Sequence, residues 1–118
     1  MIHNMNLYPE PYDMIKSGLK TIELRLNDEK RSWVKVGDTI FFTNVQTENR
    51  IETTVTNIYK FKSFDELYQE LPLDKCGYSK VELPTAKASD MIPYYSIKKQ
   101  VKYGVLGIEV DIEREHTI

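Results

Sequence analysis

The sequence predicts an α+β domain: a small β-barrel, closed or nearly closed, of five to six strands with two or three short flanking helices. Three observations lead there. Apolar residues recur with a period of two in separate short segments, as at Ile51-Thr53-Val55 and at Leu106, Ile108, Val110 and Ile112, which is the mark of a strand with one face inward. Two other segments carry helical spacing, ended by Gly18 in one case and by Pro72 in the other. A chain of 118 residues has room for one domain over residues 1–118 and buries about two-thirds of its unfolded surface. Closing so few strands into a barrel hides their edges.

His3 to Leu7 reads as the first strand, interrupted by Asn4 and Asn6. Pro9 and Pro11 then break the chain, and a proline fits the first turn of a short helix, where its missing N–H costs nothing. Tyr12 and Ile15, with Met14 beside them, form the inward stripe of that helix, and Gly18 supplies its left-handed end. Strand two follows from Thr21 to Leu26. Asn27 to Arg31 is turn-like, and Trp33 and Val34 are expected to pack that loop onto the barrel. Val36-Gly37-Asp38 turns into a strand from Thr39 to Val45 with both faces partly covered. Gln46 to Asn49 is a polar turn before a long strand, Arg50 to Phe61, whose apolar phase slips near Asn57. A bulge there would bend the strand.

Ser63-Phe64-Asp65-Glu66 has the S-x-x-E form of a capping box, and Phe64, Leu67, Tyr68 and Leu71 follow at i, i+3, i+4 and i+7, so an amphipathic helix is expected there. Leu73 to Leu83 is a loop holding Cys76-Gly77-Tyr78. Pro84 is expected to open a short helix, Thr85 to Ile92, closed by Pro93. Tyr94-Tyr95-Ser96 and a group of lysines, Lys98, Lys99 and Lys102, precede a last strand from Tyr103 to Ile112. In it Leu106, Ile108, Val110 and Ile112 face in, and the remaining tail from Glu113 is expected to fray.

With 41% hydrophobic and 29% charged residues, the chain is neither depleted of apolar residues nor endowed with a run that could cross a bilayer. No secretory signal is read at Met1 to Asn6. The single cysteine, Cys76, cannot form an internal disulfide and predicts a cytoplasmic setting with a partly buried structural thiol. His3 and His116 lack neighbours at ligand spacing and read as solvated, so no metal or other cofactor is expected. The net charge of −2 excludes bulk electrostatic attraction to polyanions. Its distribution directs any anionic ligand to the first third of the chain: six positive residues lie between Lys16 and Lys35 against Glu23, Asp28 and Glu29.

Chemistry gathers in one stretch, Ser17 to Leu26. Side chains alternate along a strand at about 3.3 Å per residue, so Glu23 and Arg25 share a face with Thr21, while Ile22, Leu24 and Leu26 take the other. Lys20, one step before, reaches over the same face. An exposed pair of this kind is usually a solvated ion pair contributing about 0–1 kcal/mol. The tyrosines offer a second feature. Tyr94 and Tyr95 beside Ser96 either present stacking surfaces and a hydroxyl to a base or lock the last helix onto the barrel.

Gly18, Lys20, Glu23 and Arg25, in the order G-x-K-x-x-E-x-R, resemble the signature of the ASCH domain family, a branch of the PUA-like β-barrels. The resemblance extends to the proline-bearing helix before Gly18, the Val36-Gly37-Asp38 turn with Phe41-Phe42-Thr43-Asn44, the Ser63-Phe64 helix start, and Tyr103-Gly104-Val105-Leu106-Gly107-Ile108. It covers nearly the whole chain and suits a small stand-alone protein of bacterial type. It implies a PUA-like barrel with a cleft lined by Lys20, Glu23 and Arg25, binding RNA or a nucleotide-like ligand, with Tyr94, Tyr95 and Ser96 as further candidate contacts. One branch, similar through Gly-x-Lys, hydrolyses the amide of N4-acetylcytidine with a lysine, a threonine three residues later and a distant glutamate. Lys20 matches the lysine; Glu23 stands where the threonine would be, and the glutamate has no aligned counterpart. The alternative is therefore a small hydrolase of an N4-acylcytidine-like nucleoside or of RNA, with Glu23 as general base for water and Lys20 stabilising the oxyanion. In a third reading the cluster is a structural ion-pair network.

Overall fold

A computed structural model describes residues 1–118. Five strands form one sheet: β1 (Ile2–Leu7), β2 (Ile22–Leu26), β3 (Thr39–Asn44), β4 (Arg50–Phe61) and β5 (Val105–His116). Three α-helices accompany it: α1 (Pro9–Ser17), α2 (Phe64–Glu70) and α3 (Ile97–Tyr103). The strand order is β1-β3-β4-β5-β2, with β1 and β3 parallel and the other neighbours antiparallel. The sheet is thus open, with β1 and β2 at its edges, and the closure expected of a barrel is not made by strand pairing. A side chain crosses the gap instead: Arg25 Nη2 on β2 donates to the carbonyl of Asn6 on β1 at 2.8 Å.

The helices and long strands form where local signals agree. Pro9 sits in the first turn of α1, Tyr12 and Ile15 are its buried residues, and Gly18 ends it at φ 84°. Ser63 accepts from the Glu66 amide at the start of α2, the backbone half of the capping box. The expected slip in β4 is a register shift between Val55 and Asn57, and a second lies between Glu52 and Thr53. These shifts let two 12-residue strands curl around a core containing Ile40, Phe42, Ile51, Val55 and Ile108. A second cluster, with Phe64, Leu67 and Leu71 against Ile22, Leu24 and Leu26, fixes α2 on β2. Each such large side chain contributes about 1.5–3 kcal/mol on burial.

Several expectations are corrected. Trp33 is 61% exposed, because Asp28 caps the Arg31 amide at 3.0 Å and pairs with its guanidinium at 2.8 Å, making a 3-10 turn that directs Val34 inward instead. Thr85 to Ile92 is not a helix but holds parts of two 3-10 turns, Leu83–Thr85 and Ala88–Met91. Here the Asp90 carboxylate is engaged by the Lys87 amide and the Tyr78 hydroxyl, which ties the segment down locally. The lysine group lies on α3, and β5 starts only at Val105, after Gly104. Its far end is not frayed: β5 runs to His116, paired with β4, while Ile112 is exposed. His3 is not solvated, since its Nε2 lies 2.8 Å from Asp38 Oδ2 with 10% of the side chain exposed. That contact, with the Lys35 amide and the terminal amine, lowers the Asp38 carboxyl to about 2.

Candidate ligand-binding cleft

Lys20, Glu23 and Arg25 meet as a buried triad rather than a solvated pair. Glu23 is 4% exposed and Lys20 9%. Lys20 Nζ lies 2.8 Å from Glu23 Oε1, while Arg25 holds the other oxygen, Nη2 at 2.8 Å and Nε at 2.9 Å. Both faces of β2 are therefore covered, the Ile22 face by α2 and the Glu23 face by the triad itself. Burial alone would raise the Glu23 carboxyl, but the charges of Lys20 and Arg25 and their hydrogen bonds outweigh it and hold it below its usual range. Burial opposes the Arg25 charge too, and Glu23 more than compensates, so the guanidinium is held still more firmly protonated.

The backbone aims these groups. The Lys20 amide donates to Met14 O at the end of α1, and the Thr21 and Ile22 amides both donate to Lys75 O, docking the loop that follows α2. That loop lays Gly77 over the Lys20 stem. At φ +111°, with Lys20 Cδ 3.3 Å from where a Cβ would stand, Gly77 leaves room that any other residue would take. Cys76, beneath, is buried and its thiol is pushed up to about 12 by burial. It packs against the core, as the sequence predicted, and its burial disfavours the thiolate that a nucleophile would need.

The triad floors a cleft of about 660 Å³, a size suited to one small molecule. One wall comes from Tyr8 and from Glu10, Pro11 and Met14 of α1; the other comes from Tyr68, Tyr78, Asp90, Tyr94 and Tyr95. On the second wall the Tyr78 hydroxyl donates to Asp90 Oδ2 at 2.9 Å, and the Tyr68 hydroxyl lies 2.7 Å from that of Tyr78. Since the Tyr78 O–H donates to Asp90, its oxygen accepts from the Tyr68 O–H, and the chain runs one way. The wall then turns acceptors to the cleft: lone pairs on the Tyr68 oxygen and Asp90 Oδ1. The floor is the opposite. Lys20 spends one of its three N–H donors on Glu23, and Arg25 Nη1 has no protein partner.

Of the other residues singled out from sequence, Tyr94 is 67% exposed and lines the cleft. Tyr95 lines it too but stacks on Phe64 at 6.0 Å and 24°, locking the segment to the second core cluster. Ser96 lies outside the cleft and caps α3 by accepting from the Lys99 amide. Sequence reasoning missed Tyr68, Gly77, Tyr78 and Asp90. The surplus of tyrosines, eight in all, was the available signal. Charge also differs from expectation. Lys20 and Arg25 face Glu10, Glu23, Glu82 and Asp90 around the cleft, so it is acidic at its rim although its deepest free groups are donors.

These features define a class: a small α+β domain whose open sheet edge bears a cleft floored by a buried Lys-Glu-Arg triad. The chain belongs to the ASCH domain family, whose profile matches residues 5–114. It is similar to the crystal structure of hypothetical protein PH0355, with 30% identity, a TM-score of 0.78, and coverage of 96% of this chain and 100% of that one. It is also similar to the solution structure of protein PF0455 from Pyrococcus furiosus, with 32% identity, a TM-score of 0.69, and coverage of 95% and 97%. The crystal structure of ASCH from Zymomonas mobilis shares the fold at 14% identity, a TM-score of 0.68, and coverage of 98% and 72%. No curated protein matches. No helix is long and apolar enough to cross a membrane.

Proposed function

We propose that this ASCH domain binds RNA or a nucleotide-like ligand by admitting one nucleobase to the cleft. The observation that carries the proposal is the polarity of the cleft: donors without protein partners on Lys20 and Arg25 at its floor, acceptors on Tyr68 and Asp90 along its wall. A base presents ring oxygens or nitrogens beside N–H groups and fits that pattern edge-on, while the exposed Tyr94 ring offers it a stacking partner. The acidic rim argues against phosphate in the cleft and for base oxygens as what Lys20 and Arg25 meet. Cys76, a single buried thiol, fits a reducing cytoplasm.

Hydrolysis is less well supported. Both Glu23 oxygens are engaged by cations and its carboxyl is held low, which makes it a weak proton acceptor for water. Thermal-shift and mass-spectrometric screening against nucleosides, N4-acylcytidines and short RNAs separates the readings. Binding is expected to raise the melting temperature of the wild-type protein, leave the ligand mass unchanged, and vanish in Lys20→Ala. Conversion of any ligand would establish a hydrolase, and silence across the panel would leave the triad a structural network.

A further inference from the structure

We infer that a second concavity, lined by Lys60, Lys62, Lys102 and Gly104, takes the sugar-phosphate backbone of an RNA strand whose base occupies the cleft. This rests on the base-binding reading above and extends it from a nucleotide to a strand. Phosphates have no place in the cleft, whose rim is acidic, so a polynucleotide needs a cationic path elsewhere on the molecule. This groove supplies one. Lys60 and Lys62 flank Phe61 at the end of β4, Lys102 faces them from α3, and Glu66 is the only acid among the lining residues. Lys98 and Lys99 extend the patch along α3, which has no acidic residue. All five lysines are exposed and none takes part in an ion pair. On a protein with net charge −2 such a patch is local, and it attracts a polyanion by counterion release where the molecule as a whole does not.

The fold joins the two concavities. Arg25 lines the cleft and Asn27, two residues on, lines the groove, a step of roughly 7 Å of extended chain. Tyr95 lines the cleft, Ser96 caps α3, and the last turn of α3 reaches the groove. The helix spans about 10 Å between them. Gly104, at φ +74° and with a Cβ position only 3.0 Å from Phe61 O, lets α3 end tight against the end of β4 beside the groove. Beside it Tyr103 carries its ring under Lys102 Nζ at 5.1 Å, a further surface on which a base can stack. A concave track between two lysine-bearing elements suits a strand. A membrane-bound helix needs a continuous apolar face in the bilayer, and the seven residues of α3 offer it only Ile97, Val101 and Tyr103.

Fluorescence titration of a mixed-sequence RNA of about 8 nucleotides at several salt concentrations tests the assignment, using the wild-type protein and a Lys60→Gln/Lys62→Gln/Lys102→Gln variant. The four common nucleosides and vesicles of phosphatidylserine and phosphatidylcholine run in parallel. The variant is expected to lose at least about tenfold in RNA affinity, with the slope of log affinity against log salt falling by about 2, while nucleoside binding is unchanged. Equal RNA affinity and slope in the two proteins would overturn the inference. So would a wild-type protein that binds nucleosides but no RNA, an outcome that leaves the cleft reading standing. Lysine-dependent binding to vesicles without lysine-dependent binding to RNA would make the groove a membrane contact. Absence of all RNA and nucleoside binding would remove both proposals.

Discussion

Replacing Glu23 with alanine is expected to lower the stability of the domain by about 3–5 kcal/mol, the usual consequence of leaving buried charges without their counterion. Lys20 and Arg25 are both largely buried and both depend on the one carboxylate, each on its own oxygen. Without it two cations remain under a loop and a sheet edge with nothing to balance them. Glu23→Gln, which keeps the shape and removes the charge, should fall between. The acid limb carries a second signature. The carboxyl is lowered in the folded state, so its contribution is fully present above its ordinary unfolded value and is lost as pH falls through the lowered folded one. Wild-type stability should therefore decline more steeply with acid than that of Glu23→Ala. Urea unfolding as a function of pH measures both effects, and equal stability of the two proteins at neutral pH would show that the triad is not a unit.

Arg25→Ala should act the other way round, on binding more than on folding. Its removal leaves Lys20 and Glu23 as a neutral pair, so the stability loss is smaller than for Glu23→Ala. What disappears is a floor donor, together with the bridge from β2 to the Asn6 carbonyl of β1. Losing a hydrogen bond from a charged donor typically costs about 1.5–3 kcal/mol of binding, or at least about tenfold in affinity. Arg25→Lys should recover little of it, because an ammonium cannot reach Glu23, Asn6 and a ligand at once as the planar fork does. Calorimetric titration of the base that stabilises the wild-type protein is the check. Undiminished affinity in a folded Arg25→Ala protein would remove Arg25 from the site.

The triad was legible in the sequence because it is local. Lys20, Glu23 and Arg25 stand within six residues, and strand alternation with one step of reach brings them together. Its burial was not legible, because the loop that covers it arrives from Lys75 to Tyr78, more than fifty residues away, and docks through backbone amides rather than through any patterned side chain. The acceptor wall was hidden for the same reason: Tyr68, Tyr78 and Asp90 come from a helix, a loop and a 3-10 turn. Helix α3 escaped because it is short and its one buried residue is Gln100, while its apolar pair at i and i+4, Ile97 and Val101, stays exposed; its other signals were Ser96 at the cap and Gly104 at the end. The tail of β5 escaped because a pair of exposed strands can be held by polar contacts, here Arg114 and His116 to Glu52 and Glu115 to Tyr12. Those residues look in sequence like a solvated end. Barrel closure was over-read. Five strands suggested it, but β1 and β2 do not pair, and the edge left open is where Arg25 reaches across.

Base insertion into the cleft is best mapped by amide chemical shifts in the isotopically labelled protein as a short RNA, or the nucleoside that stabilises it, is titrated in. Base insertion predicts the largest changes at Lys20, Arg25, Gly77, Asp90 and Tyr94, which surround the cleft on every side. A saturable footprint elsewhere on the surface that spares these five residues would contradict it.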